Sequence, residues 1–292
     1  MTTSISTDAL AERIEALAGT PAGVTLPEDA EHVVGALLDA LERGAVRAAV
    51  RESDGTWAAV PWVKRGILLG FRAGRVVAMP DEAGGGSGDG PAPYVDKHTY
   101  PPRALTVRDG VRVVPRGTAI RRGAFVAPGV VCMPPAYINV GAHVGAGTMV
   151  DSHALVGSCA QVGERVHLSA AAQIGGVLEP VNAAPVIIED DVIVGGNCGV
   201  YEGTVVRQRA VLGAGVVLTR GTPVFDLVHE RVYRAESGRP LEIPSGAVVV
   251  PGARAVRGRW ATAEGLSLQT PVIVKYRDER TDLATALEQW LR

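Results

Sequence analysis

The chain is poor in aromatic residues, in cysteine and in excess charge of either sign. Of its 292 residues, only 4 Trp, 6 Tyr and 3 Phe carry rings, whereas an irregular core of this size draws on rings to fill space. Lys and Arg number 29 against 31 Asp and Glu, a formal net charge of −2. That balance offers no electrostatic footprint for nucleic acid and no polybasic anchor. Cys132, Cys159 and Cys198 are too few for a disulfide framework and contain no CxxC clamp. They read as small buried hydrophobes in a reducing compartment. No basic leader precedes an apolar stretch at the N-terminus, and no apolar run approaches about 18 residues. The expectation is a soluble, cytoplasmic protein with neither nucleic acid nor membrane as a partner.

What the chain does have is 36 Gly, 19 Pro and an apolar content of 47%. Disorder does not fit that much apolar material, so the glycines point to repeated turns in a regular interior filled by aliphatic residues. The first eighty residues read as a compact α+β unit. Thr7 and Asp8 can cap a first helix whose stripe is Leu10, Ile14 and Leu17. A second helix, DAEHVVGALLDALERG, carries Val33, Leu37, Leu38 and Leu41 and stops at Gly44. AAVRESDGTWAAVPWV and ILLGFRAGRVVAM read as strands. DEAGGGSGDGPAP has the composition of a linker. The predicted domains are 1–82 (helical α+β), 83–110 (linker), 111–252 (a repeat with an excursion loop at 176–187) and 253–292 (a strand-and-helix extension). The last of these ends in a helix, ERTDLATALEQWLR.

The repeat has a period of six. From Val114 the steps fall on Ile120, Val126, Cys132 and onward to Ile174; after a slip of two they resume at Ile188 and run to Val224. Seventeen of these eighteen positions are aliphatic, Cys132 being the exception. Gly often follows the aliphatic residue (Gly145, Gly163, Gly175, Gly195), where it is expected to turn a corner. A small or β-branched residue comes four positions after it (Ala142, Thr148, Ala154, Ala160). An α-helix cannot hold a six-residue register, and a lone strand does not need one. A coil with three flat faces, about 18 residues per turn, does need one. The run predicts roughly six coils.

Repeats of this form resemble the hexapeptide acyltransferases built on a left-handed parallel β-helix. The strings VRVVP, GTMVDSHALVGSCAQVG, IGGVLEPVNAAPVIIED and IPSGAVVVPG, with LLDALERGAVRAA before them, resemble the tetrahydrodipicolinate N-succinyltransferase family of the bacterial diaminopimelate and lysine pathway. The resemblance implies a mainly β fold and a homotrimer with active sites between subunits. It implies succinyl-CoA as co-substrate, no metal, and transfer of succinyl to the amine of the opened, hydrated substrate. Such chemistry asks for cations on the substrate carboxylates, a group to take the amine proton, and donors for the oxyanion.

By resemblance, Arg112 of VRVVP binds substrate, as a guanidinium grips a carboxylate through two bonds; alone it reads as a surface charge. Asp151 of GTMVD contacts the substrate amine and helps catalysis; alone it reads as a corner residue bonding its own backbone. The family's IIED run leads into a sequence whose first Glu is a proposed catalytic carboxylate, and Gly199 stands there in this chain. Either Glu202 takes a share of the work or that carboxylate is dispensable; Glu202 also reads as a solvated corner charge. Amides near Gly175 and Gly195 are candidates for the oxyanion, and Lys275 for CoA phosphates. Glu179 has no assigned role.

Two rival readings remain open. His143, His153 and His167 admit a zinc site or a histidine base acting on another acyl acceptor or with an acetyl donor, although spacings of 10 and 14 do not stack on an 18-residue coil. A non-catalytic scaffold needs none of the motif residues.

Overall fold

The computed structural model describes residues 6–79 and 94–278. The predicted linker at 81–93 and terminal helix at 279–292 lie outside the described residues.

The N-terminal unit holds three helices, α1 (Thr7–Ala18), α2 (Ala30–Glu42) and α3 (Pro61–Ala73). α1 buries Leu10, Ile14 and Leu17 as its stripe predicts, but its cap is Ser6, whose hydroxyl accepts from the Ala9 amide. Thr7 is already helical and Asp8 lies in the first turn, where a carboxylate favours the helix N-terminus. α2 is capped by Arg43, and Gly44 follows in the left-handed region at φ +69°. α3 overturns the strand reading of ILLGFRA. Pro61 opens the helix, and Val63, Ile67 and Leu69 are buried with Gly66 and Gly70. The glycines let α3 approach so closely that a Cβ on Gly66 would overlap the Leu37 side chain, and one on Gly70 the Tyr100 hydroxyl. Close packing outweighed the β-forming composition of the segment. The flanking strands are real: Ala49–Arg51 pairs with Trp57–Ala59, and Val76–Met79 with Tyr94–Lys97. That last strand falls inside the stretch read as linker.

From Arg112 onward, two-residue strands fall into three parallel ladders. A first face runs from Arg112–Val113 through Met149–Val150 to Val211–Leu212, a second from Ala119–Ile120 to Val217–Leu218, and a third from Phe125–Val126 to Glu242–Ile243. Partners lie eighteen residues apart, as in Met149 with His167 and Leu155 with Gln173. The chain therefore visits the three faces in turn and closes one coil per eighteen residues. The second residue of each strand points inward, and Ile138, Val156, Leu168, Ile174 and Val200 are fully buried. Ala160, Val166 and Ala172 supply the smaller inward residue. Aliphatic side chains stack on their own kind, leaving no place for rings.

The register departs from the sequence reading at both ends. Val113, not Val114, pairs with Cys132, because an extra residue sits in the first corner. Val224 is buried but belongs to an excursion: Val224–Asp226 pairs with Arg231–Tyr233 and with Ser267–Tyr276, while Glu242–Ile243 continues the third face. Gln161 and its partner Ile187 are separated by twenty-six residues, so the excursion after Ile174 adds eight. A surplus of eight appears in a six-residue frame as the slip of two. Beyond the coil, Ala247–Ala255 pairs antiparallel with Ser267–Tyr276, and a short α4 (Arg259–Ala263) lies between them.

The glycine rule also needs correcting. Gly145, Gly163 and Gly195, which follow the aliphatic residue, are not left-handed. They lie against the next coil; a Cβ on Gly145 would sit 2.5 Å from the Gly163 backbone. The left-handed corner positions are occupied by Gly129, Gly147 and Gly215, but also by Cys159, Arg165, Ala171, Asn197 and Glu202.

The N-terminal unit packs on the coil at the corner between the second and third faces. Val140 and Cys159 join the helical cluster of Leu37, Leu38 and Ile67, and the hairpin strand residue Ala49 packs on Ile187 and Val205 of the third face. Among the described residues, no helix is long and apolar enough to cross a membrane.

Candidate active site

The first face and the corner that follows it carry two of the predicted residues. Arg112 opens the first rung and is exposed, with no ion pair or side-chain hydrogen bond among the described residues. Asp151 leaves the third rung: its amide donates to the Leu168 carbonyl, and its Oδ1 accepts from the Ser152 amide at 2.7 Å. Rungs in a sheet lie about 4.8 Å apart, so Arg112 and the Asp151 corner are roughly 10 Å apart along the coil. A free guanidinium and a half-buried carboxylate at that separation suit an acceptor that is anionic at one end and carries an amine nearer the other.

Glu202 is elsewhere. It leaves the fifth rung of the second face, exposed and left-handed at φ +54°, with Oε2 accepting from the Arg220 amide. Discounting the eight-residue excursion, Glu202 lies two coils and one face beyond Asp151, so one chain does not bring the two carboxylates together.

The glycine amides are already engaged. Gly175 N–H donates to the Val200 carbonyl and Gly195 N–H to that of Leu212, both at 2.8 Å. Neither can meet an oxyanion without breaking the ladder; among the described residues the amides of Gly176 and Gly196, one residue further on, donate to no ladder carbonyl. Lys275 pairs with Val248 in the C-terminal sheet, and its ammonium is within 3.3 Å of Asp278.

The three histidines sit in different surroundings. His143 is on the third face, His153 in a left-handed corner and His167 on the first face. Burial, with the positive Arg47 nearby, pushes His143 down to about 3. Its ring stacks on Phe125 at 4.4 Å. Burial therefore favours the uncharged imidazole and works against His143 as the group that takes the amine proton.

Tyr201 was not read from the sequence. Its ring folds back over Gly199: a Cβ there would meet ring carbon Cε2 at 2.5 Å and the hydroxyl at 2.9 Å. The same ring lies 2.7 Å from a Cβ built on Gly175. The available signal was an aromatic residue two positions after a glycine, since i and i+2 share a side of a strand.

The repeat, its three ladders and the helical unit before them are the features of a hexapeptide-repeat acyltransferase. Family models match in both parts of the fold: the N-terminal region of tetrahydrodipicolinate N-succinyltransferase over residues 9–73, and the hexapeptide repeat of succinyl-transferase over residues 185–220. A curated 2,3,4,5-tetrahydropyridine-2,6-dicarboxylate N-succinyltransferase from Nitrobacter hamburgensis is 41% identical, covering 87% of each chain. One from Polynucleobacter asymbioticus is 41% identical, covering 91% of each. The chain belongs to the tetrahydropyridine-2,6-dicarboxylate N-succinyltransferase family. Among solved structures, one titled a putative 2,3,4,5-tetrahydropyridine-2-carboxylate N-succinyltransferase, from Campylobacter jejuni, is 18% identical with a TM-score of 0.45. The match covers 87% of this chain and 64% of that one.

Proposed function

We propose that the protein transfers succinyl from succinyl-CoA to the amine of ring-opened, hydrated tetrahydrodipicolinate, serving diaminopimelate and lysine synthesis in the cytoplasm. The observation that carries this reading is family membership extending across both the helical unit and the repeat. The amine nitrogen attacks the thioester carbonyl. The new C–N bond forms, the C–S bond breaks, the amine gives up a proton, and the thiolate of CoA takes one. In this reading Arg112 holds an acceptor carboxylate and Asp151 orients the amine and receives its proton. Amides beside Gly175 and Gly195, those of Gly176 and Gly196, face the oxyanion, and Lys275 meets CoA phosphate. No metal is required.

The coil is then the left-handed parallel β-helix of the class, and the protein a homotrimer. The separation of Asp151 from Glu202 supports a site shared between subunits, in which the corner of one coil faces a different corner of its neighbour. The proposed units remain 1–82, 83–110, 111–252 and 253–292.

Thiol release with succinyl-CoA or acetyl-CoA, with and without the acceptor, tests the reaction. Acceptor-dependent release with succinyl-CoA is expected, and its absence with both donors overturns the proposal. A clear preference for acetyl-CoA reassigns the donor. Asp151→Asn should lower kcat about a hundredfold, and unchanged turnover would reduce Asp151 to a corner residue.

A further inference from the structure

The excursion after Ile174 is held at four points. The Val177 amide donates to the Ser158 carbonyl at 3.1 Å. Leu178 packs against the helical cluster. Lys64 of α3 donates from Nζ to the Ala183 carbonyl at 2.5 Å. The Ala184 carbonyl lies 2.7 Å from where a Cβ on Gly203 would be, so only glycine, at φ +74°, permits that approach.

Among these anchors, Lys64 is the expensive one. It is 0% exposed, and burial pushes the pKa of its ammonium down. The ammonium has three donors, and the Ala183 carbonyl is its hydrogen-bond acceptor among the described residues. Burying a charge with one neutral acceptor costs free energy that a methionine of similar length would not. Stability alone therefore does not account for a lysine here. What it supplies is a directed bond to one chosen carbonyl, and the segment so held carries Gly176 and the exposed Glu179 out from the coil.

We propose that Lys64 is a positioning residue, through which the N-terminal helical unit sets the excursion loop, with the Gly176 amide and Glu179 that it carries, in place for the transfer reaction. Acyl transfer needs reacting groups held in a narrow geometry, and a loop free to wander would lose it. The role in catalysis rests on the transfer reaction proposed above; the anchoring does not. Among the described residues the loop's hydrogen bond to α3 is the one from Lys64, so removing the ammonium removes it and leaves the apolar packing of Leu178 on the helical cluster.

Lys64→Met and Lys64→Gln in the full-length protein provide the test, read by amide hydrogen exchange over residues 177–184, thermal midpoint and steady-state kinetics. Lys64→Met should match or exceed the wild-type midpoint, yet exchange at 181–184 should speed up about tenfold. KM for the acceptor should rise about tenfold, while KM for succinyl-CoA moves less than about twofold. Lys64→Gln, which keeps a donor, should fall between the two. Unchanged exchange in both variants overturns the anchoring. Faster exchange with unchanged kinetics overturns the positioning role. Should neither variant fold, the wild type still decides: amides at 181–184 exchanging at free-loop rates rule the anchor out. If wild-type protein fails to turn over this substrate pair while exchange still responds, the transfer reading has failed and the anchor stands.

Discussion

Gly199 shows how one residue's identity is set by another's. The Tyr201 ring occupies the volume a side chain on 199 would need, so the glycine and the tyrosine form a coupled pair. Gly199→Ala should destabilise the protein by about 1–3 kcal/mol, the usual range for overpacking. In a Tyr201→Val background the same change should cost much less. Urea denaturation of the four variants measures the coupling, and additive effects would refute it. Asp226 offers a second test. Its burial alone would raise its pKa, but hydrogen bonds from His229, Tyr276 and the amides of His229 and Val228 outweigh that and hold it at about 2. A carboxyl held below its unfolded value of about 4 adds stability that is present above that pH and lost as pH falls toward 2. Asp226→Asn should therefore lower stability at pH 7 and flatten its decline between about pH 4 and 2, as followed by denaturant midpoints. An identical decline in both proteins would free Asp226 of that role.

At the scale of elements, the corners separate two uses of glycine that the sequence runs together. Gly145 is needed for contact with the coil beyond it, whereas Ala171 tolerates φ +59° at a position that glycine would suit better. Gly145→Ala should cost more than about 2 kcal/mol, because backbone rather than a flexible side chain blocks the new Cβ. Ala171→Gly should shift stability by less than about 1 kcal/mol, since relief of left-handed strain offsets the added freedom of the unfolded chain. Thermal midpoints of the two variants check the contrast. The inward positions were legible because every sixth residue meets the same constraint, whereas Arg112 and Asp151 were picked out by the resemblance of VRVVP and GTMVD to a family and not by that frame, in which they read as a surface charge and a corner residue. α3 was not legible: Trp62, Val63, Ile67 and Phe71 suggest a strand when taken alone, and only the contacts of Gly66 and Gly70 with α2 and Tyr100 make the helix worthwhile. Tyr201 escaped for a related reason. Its significance lies in where its ring folds, which the period does not encode.

For the whole molecule, the separation of Asp151 and Glu202 makes a prediction about assembly. If both serve one site between subunits, Asp151→Asn and Glu202→Gln chains should each be nearly inactive alone. Mixed and reassembled, they should recover measurable turnover, because some interfaces then pair two intact residues. No recovery in mixed assemblies, shown by mass to contain both chains, would show that Asp151 and Glu202 do not serve one shared site.

Because each coil is one rung of all three ladders, length changes in this chain come in fixed sizes. Removing six residues from the repeat would leave the inward positions inward but move every later strand onto the neighbouring face, carrying its outward side chains and corners away from the surfaces they now form. Removing eighteen would preserve every face and shorten the coil by one rung, about 4.8 Å. Even that permitted change is barred between Arg112 and Asp151 if both grip one acceptor, since it would bring them a full rung closer. Elsewhere the stack can gain or lose a coil, and inserted segments such as the excursion are confined to the corners, where any length can leave and return.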